Sequence, residues 1–145
     1  MPKILSLSCV YPNPAEPQCG LFVQARLRAM ARRAELRVIA PVIAGRGRAP
    51  IPFAEFDGGT EVLHPRWLHP PGAGPLNPLA MAAAIARTVD RCRREFRFDW
   101  IDAHFAYPDG VAAVLLALRY RVPVAITLRG SEVEHNLHPL RRAWM

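Results

Sequence analysis

Three polar clusters in the sequence carry residue types that could grip a sugar or a phosphate. Gly20 closes a proline-rich stretch, residues 11–20, just ahead of an amphipathic run. A glycine there lets backbone approach a ligand closely, and the N–H groups at the start of a helix suit a phosphate or a sugar hydroxyl. His104 opens the segment His-Phe-Ala-Tyr-Pro-Asp-Gly, residues 104–110. An imidazole there can donate, accept or carry charge near neutral pH. Arg129 and Ser131 stand in the run Arg129-Gly130-Ser131-Glu132. A guanidinium can hold a phosphate or carboxylate at two points. Asp109 is placed to cap a helix beginning at Gly110. Glu132, His135 and His138 have a spacing that invites a metal, but they read as surface residues, and no metal is expected.

These clusters matter only if the fold brings them together. Residues 3–10 form a short apolar run without clear alternation, as a strand buried on both faces reads. Val23, Leu27, Met30 and Ala34 recur at helical spacing. Residues 36–40 read as a second strand stopped by Pro41. Residues 60–64 read as a third, entered through Asp57-Gly58-Gly59. Residues 44–57 read as irregular, and 65–78 as a long Pro/Gly loop. Ala82, Ile85, Val89, Cys92 and Phe96 mark the clearest helix. Residues 100–105 read as a fourth strand, 110–119 as a buried helix and 122–128 as a fifth strand. Alternation of this kind predicts a Rossmann-like, doubly wound, mostly parallel α/β sheet. Ligands of such sheets bind beyond the carboxyl ends of the strands, where strand order reverses. That places the loops after strands one, four and five, and so Gly20, His104 and Arg129, at one site.

The formal net charge is +7, carried almost entirely by arginine, since Lys3 is the lone lysine. A basic balance favours anionic partners. Arg28 and Arg32, flanked by Arg26 and Arg33, could lie on an anionic membrane surface. Nucleic acid is not expected, because Phe96, Phe98 and Trp100 near Arg97 read as core rather than as stacking platforms. A dinucleotide cofactor is not expected either. The first strand–helix turn has one glycine instead of the G-x-G-x-x-G set, and strand two ends in Ala40-Pro41 with no acidic residue for a ribose. Cys9, Cys19 and Cys92 fit no zinc spacing and read as free thiols of a reducing compartment. The start lacks the apolar core of a secretory signal, and no run approaches the roughly 20 apolar residues of a membrane span. The expected location is the cytoplasm, including the inner face of the membrane.

Cys19-Gly20-Leu21-Phe22-Val23-Gln24 with Ala29-Met30-Ala31-Arg32-Arg33 resembles the glycine loop and first helix of family 4 glycosyltransferases. Leu36-Arg37-Val38-Ile39-Ala40-Pro41 is similar to their second strand. Residues 102–110 and 122–132 are similar to their fourth and fifth strands with the loops that follow. The match is patchy between Val42 and Leu79. The resemblance implies the amino-terminal, acceptor-side half of a GT-B enzyme, in which two Rossmann-like domains face each other across a cleft. Such enzymes move a sugar from a nucleotide-sugar donor to an acceptor, here a glycan or lipid-linked molecule, without an obligatory metal. It implies His104 as the catalytic residue facing the reacting sugar. It implies Gly20, Phe22, Asp109, Arg129 and Ser131 as substrate-binding residues. The family's carboxyl-terminal domain, with the nucleotide pocket and the cations that neutralise the leaving diphosphate, has no counterpart in residues 1–145. The expectation is therefore one incomplete domain, ending after its fifth strand, inactive by itself, either a fragment or one partner of a split enzyme. With strand order 3-2-1-4-5, strand five forms the margin of the sheet. The alternative is a non-catalytic module that binds glycolipid or an anionic membrane.

Overall fold

The computed structural model describes residues 1–46, 49–70, 72 and 74–145. In chain order the strands are β1 (Lys3–Leu7), β2 (Glu35–Ile39), β3 (Val42–Ile43), β4 (Ala54–Asp57), β5 (Thr60–Leu63), β6 (Arg66–Trp67), β7 (Trp100–His104) and β8 (Val124–Thr127). The helices are α1 (Leu21–Met30), α2 (Asn77–Phe96), α3 (Val111–Tyr120), α4 (Glu132–Asn136) and α5 (Pro139–Arg142). The main sheet runs β4-β5-β2-β1-β7-β8. Every pairing in it is parallel except β4 with β5.

The run that reads as buried on both faces is so. Leu5 and Leu7 of β1 join a cluster with Met81, Ile85 and Val89 of α2 and Ala112 and Leu116 of α3. Ile4, on the other face, meets Val23 and Leu27 of α1. The alternation of strand side chains thus sorts the core into two layers, α2 and α3 below the sheet and α1 above it. The same alternation acts on β7. Ile101 and Ala103 enter the lower core, while Trp100 packs toward α1. Asp102 and His104 therefore share the α1 face, and both are buried.

The five strands expected from the sequence are β1, β2, β5, β7 and β8, and they stand in the expected order. Three expectations change. The stretch read as irregular, 44–57, contains β4, which folds back on β5 through Gly58 and Gly59 and takes the sheet margin. Its side chains are half-exposed or exposed, so it shows no apolar signal. The long loop 65–78 begins with β6, paired to β3, and ends inside α2, which starts at Asn77 with Pro78 in its first turn. Finally, β1 stops at Leu7 because the Ser8 hydroxyl bonds the backbone of Val10 in both directions and turns the chain. Gly47, Arg48, Pro71 and Ala73, which belong to these two variable stretches, lie outside the described residues.

Candidate functional site

Because β7 sits between β1 and β8, the loops leaving their carboxyl ends are neighbours. Gly20 ends the first loop with φ +73°. A Cβ built there would stand 2.3 Å from the Val10 carbonyl oxygen and 2.8 Å from the Tyr11 nitrogen. The close approach that requires glycine is thus to the chain's own backbone. It sets the direction of α1, whose first turn closes on the Gly20 carbonyl through the N–H groups of Val23 and Gln24. As at any helix start, the leading N–H groups have no partner within the helix.

Phe22 follows, 48% exposed. Its ring meets Phe105 edge-on at 6.2 Å, and the Arg129 guanidinium lies 5.0 Å from its centroid. A cation over an aromatic face is attracted by the ring quadrupole. Arg129 is exposed, and its Nη2 reaches 3.5 Å from His104 Nδ1. His104 itself has no exposed surface, so it lies behind Arg129 and does not open directly on solvent. Its Nε2 stands 3.2 Å from Asp102 Oδ2. Asp102 Oδ1 faces Arg26 Nη2 at 3.6 Å, and Arg26 also donates to the Thr127 hydroxyl.

The loop after β8 is held by Glu132. Its carboxylate accepts N–H bonds from Ala106 (3.1 Å), Arg129 (3.2 Å) and Gly130 (2.8 Å). Burial would raise this carboxyl, but the backbone donors outweigh it and keep the carboxyl below its ordinary range. Glu132 therefore anchors Arg129 to the loop after β7. It is not available to a metal, and His135 packs on Tyr107 and pairs with Arg141. Among the described residues no three His, Cys, Asp or Glu converge as metal ligands. Ser131 has a buried hydroxyl with no hydrogen-bond partner among the described residues.

Asp109 corrects an expectation. Its side chain makes no cap to α3. The carboxylate turns inward, fully buried, and accepts the Cys9 N–H at 3.0 Å and the Cys9 thiol at 3.2 Å. Burial pushes its pKa up to about 7, against those two bonds, and pushes the Cys9 thiol up as well. Asp109 thus ties the loop after β1 to the loop after β7 and presents no atom to solvent.

The sequence reading missed Phe105, Arg26 and Asp102. Phe105 has φ +71°, held by its N–H on Thr127 and its carbonyl on Gly110. A left-handed phenylalanine is strained, and such strain gathers at ligand sites. No residue-type signal announces it. Arg26 and Asp102 become legible only when α1 is laid over β7.

A cavity of about 240 Å³ adjoins the site, lined by Cys9, Asn13, Glu16, Cys19, Arg46 and Trp67. A larger cleft, about 470 Å³, lies at the opposite ends of the strands beside Glu35, Thr60 and Phe96, away from the loops described above. The arginine face of α1 is also less free than its sequence implies. α1 ends at Met30, so Arg32 and Arg33 lie beyond the helix, while Arg28 pairs with Asp57 at 2.5 Å and Arg26 with Asp102. Among the described residues no helix is long and apolar enough to cross a membrane.

Residues 20–145 match the family described as a glycosyl transferase 4-like domain. TuaC of Bacillus subtilis (strain 168), by its name a glycosyltransferase of teichuronic acid biosynthesis, is 29% identical over 155 aligned positions. The alignment takes in 94% of this chain and 38% of TuaC. A sucrose-phosphate synthase from Thermosynechococcus elongatus superposes with a TM-score of 0.62 at 10% identity, over 96% of this chain and 36% of that one. At that identity the likeness is one of fold. The chain spans little more than a third of the length of either protein.

Proposed function

The chain belongs to the glycosyl transferase 4-like family, and from that membership we propose that it is the acceptor-side half of a sugar transferase. The reaction moves a sugar from a nucleotide-sugar donor to a glycan or lipid-linked acceptor at the cytoplasmic side of a membrane. One observation carries this reading. The glycine loop, Phe22 and Arg129 meet at the carboxyl ends of β1, β7 and β8, where a doubly wound sheet takes its ligand. Arg129 supplies a cation for an anionic oxygen, and Phe22 supplies an apolar face. Gly20 orients α1 toward the cleft. Asp109 serves from beneath, by fixing the loop that carries Phe105. His104 acts on the reacting sugar from behind Arg129, once the guanidinium shifts with ligand. A net charge of +7 suits an acidic acceptor, and a relative named for teichuronic acid biosynthesis points the same way.

Residues 1–145 form one domain of such an enzyme and need a donor-binding half for turnover. Stabilising the leaving diphosphate is the main electrostatic task of this chemistry, and Arg129 is the exposed cation that the described residues bring beside Phe22. The test is transfer of radiolabelled sugar from a panel of nucleotide sugars to membrane lipid and glycan extracts. The expected result is no transfer by the chain alone and transfer when it is joined to a donor-binding domain. In that joined protein Arg129→Ala is expected to reduce kcat/KM about tenfold or more, the loss of one charge-assisted contact. Robust turnover by the 145-residue chain overturns the half-enzyme reading.

A further inference from the structure

We infer that Asp102 is a positioning residue that acts through His104 on the Arg129 guanidinium. The inference follows from counting donors and acceptors. Arg129 Nη2 has only hydrogens to offer, so its contact with His104 Nδ1 at 3.5 Å is attractive when Nδ1 is the bare nitrogen. The proton of the neutral ring then belongs on Nε2. That nitrogen faces Asp102 Oδ2 at 3.2 Å. The pair is out of line for a hydrogen bond, and among the described residues neither atom has any other partner. Both residues are sealed from water, at 1% and 0% exposure. A buried acceptor and a buried donor at that distance, each otherwise unpaired, gain most from each other. A small rotation of the imidazole aligns them.

The carboxylate end of this pair is fixed in turn. Arg26 reaches Asp102 Oδ1 from α1 and shares its guanidinium with Thr127 of β8. Arg26 lies four residues after Phe22, so both project from the same side of α1. Phe22 holds the other end of the chain of contacts through Arg129. The path Arg26, Asp102, His104, Arg129, Phe22 therefore leaves α1 and returns to it. Asp102 selects the tautomer, the tautomer gives Arg129 an acceptor, and Arg129 is kept beside Phe22 instead of ranging through solvent. The ligand that would benefit carries an anionic oxygen, phosphate or carboxylate. Only the identity of that ligand rests on the transferase reading.

The experiment is a long-range ¹H–¹⁵N correlation spectrum of the 145-residue protein labelled on histidine nitrogen, at a pH where the imidazoles are neutral. His104 is assigned by the peak lost in His104→Gln. Wild type is expected to show the Nε2–H tautomer. Arg129→Ala, at an exposed position, is expected to leave that tautomer in place. Asp102→Leu in that Arg129→Ala background removes the acceptor and is expected to lose the Nε2–H preference. An Nδ1–H tautomer in wild type overturns the inference without any variant, as does loss of Nε2–H in Arg129→Ala alone. The tautomer is read without substrate. A failed tautomer test therefore leaves the transferase reading standing, and absent transfer leaves the tautomer result standing.

Discussion

Asp102 and Asp109 are both buried carboxylates at the carboxyl end of β7, and the protein holds them in opposite ways. Asp102 meets charge, with Arg26 on one oxygen and the His104 ring beside the other. Asp109 meets only neutral donors, the N–H and thiol of Cys9, and its pKa rises to about 7. The first carboxylate belongs to a path that reaches solvent through Arg129. The second belongs to a sealed seam, in which the loop after β1 is pressed against itself at Gly20 and bonded to the loop after β7 at Cys9. The contrast separates two tasks. A charged, partly wet path can move a cation into place, whereas a dry seam of neutral contacts fixes backbone and resists adjustment.

That contrast can be broken at three points. The largest effect is expected on the dry side, at Gly20→Ala. The new Cβ would meet backbone at 2.3 Å in a left-handed conformation, and backbone cannot swing away as a side chain can. A loss of about 2–4 kcal/mol is expected by urea unfolding. A loss below about 1 kcal/mol would show that the seam yields.

The second point is pH. Asp109 has a folded pKa raised from 3.8 to about 7, so the folded state binds more protons than the unfolded chain between those values. Its contribution to stability therefore falls as pH rises from about 4 to about 7, by an amount on the order of a few kcal/mol, and is level above that. Asp109→Asn keeps an oxygen for the Cys9 N–H and removes the titration. Relative to wild type, the variant is expected to gain stability from pH 5 to about pH 7 and to hold that gain above it. The carboxyls held low, such as Asp57 and Glu132, lose their contribution as pH falls below their ordinary values and act equally in both proteins. A constant difference across that range would remove the sealed, neutral account of this carboxylate.

The smallest effect is expected on the charged side. Arg26 is partly exposed, at 36%, and its Asp102 contact is long. Arg26→Ala leaves Asp102, at 2% side-chain exposure, without its cation, so the cost should be about 1–2 kcal/mol, and only the part carried on the wet Arg26 side should shrink as salt is raised. A salt-independent loss equal to that of Gly20→Ala would erase the distinction between the two sides.

Much of the framework was legible because strand and helix periods are written locally. The stripes at Val23 and Leu27 and at Ile85 through Phe96 are buried as their spacing implies. β4 escaped notice because an edge strand need not alternate. α2 began early because Asn77 and Pro78, which look like loop, suit a first turn. At the site, the convergence of Gly20, His104 and Arg129 followed from topology, and Phe22 from the resemblance. The partners of Asp109 did not, since a carboxylate ahead of an apolar helix reads as a cap whether or not it turns inward. Arg26 was read with a cluster that could face an anionic membrane because its neighbour Asp102 lies 76 residues away in sequence.

The sequence by itself determined the elements of the parallel sheet and the three loops of the candidate site, because apolar periodicity and loop composition depend on neighbours within a few residues, and its segments carried the resemblance to the family. Only the tertiary structure decided that Gly20 faces its own backbone, that His104 lies hidden behind Arg129, and that two similar aspartates receive a cation in one case and a thiol in the other. Those outcomes depend on which side chains distant segments bring within a few ångströms. Burial then sets how strongly each carboxylate responds to the partner it meets.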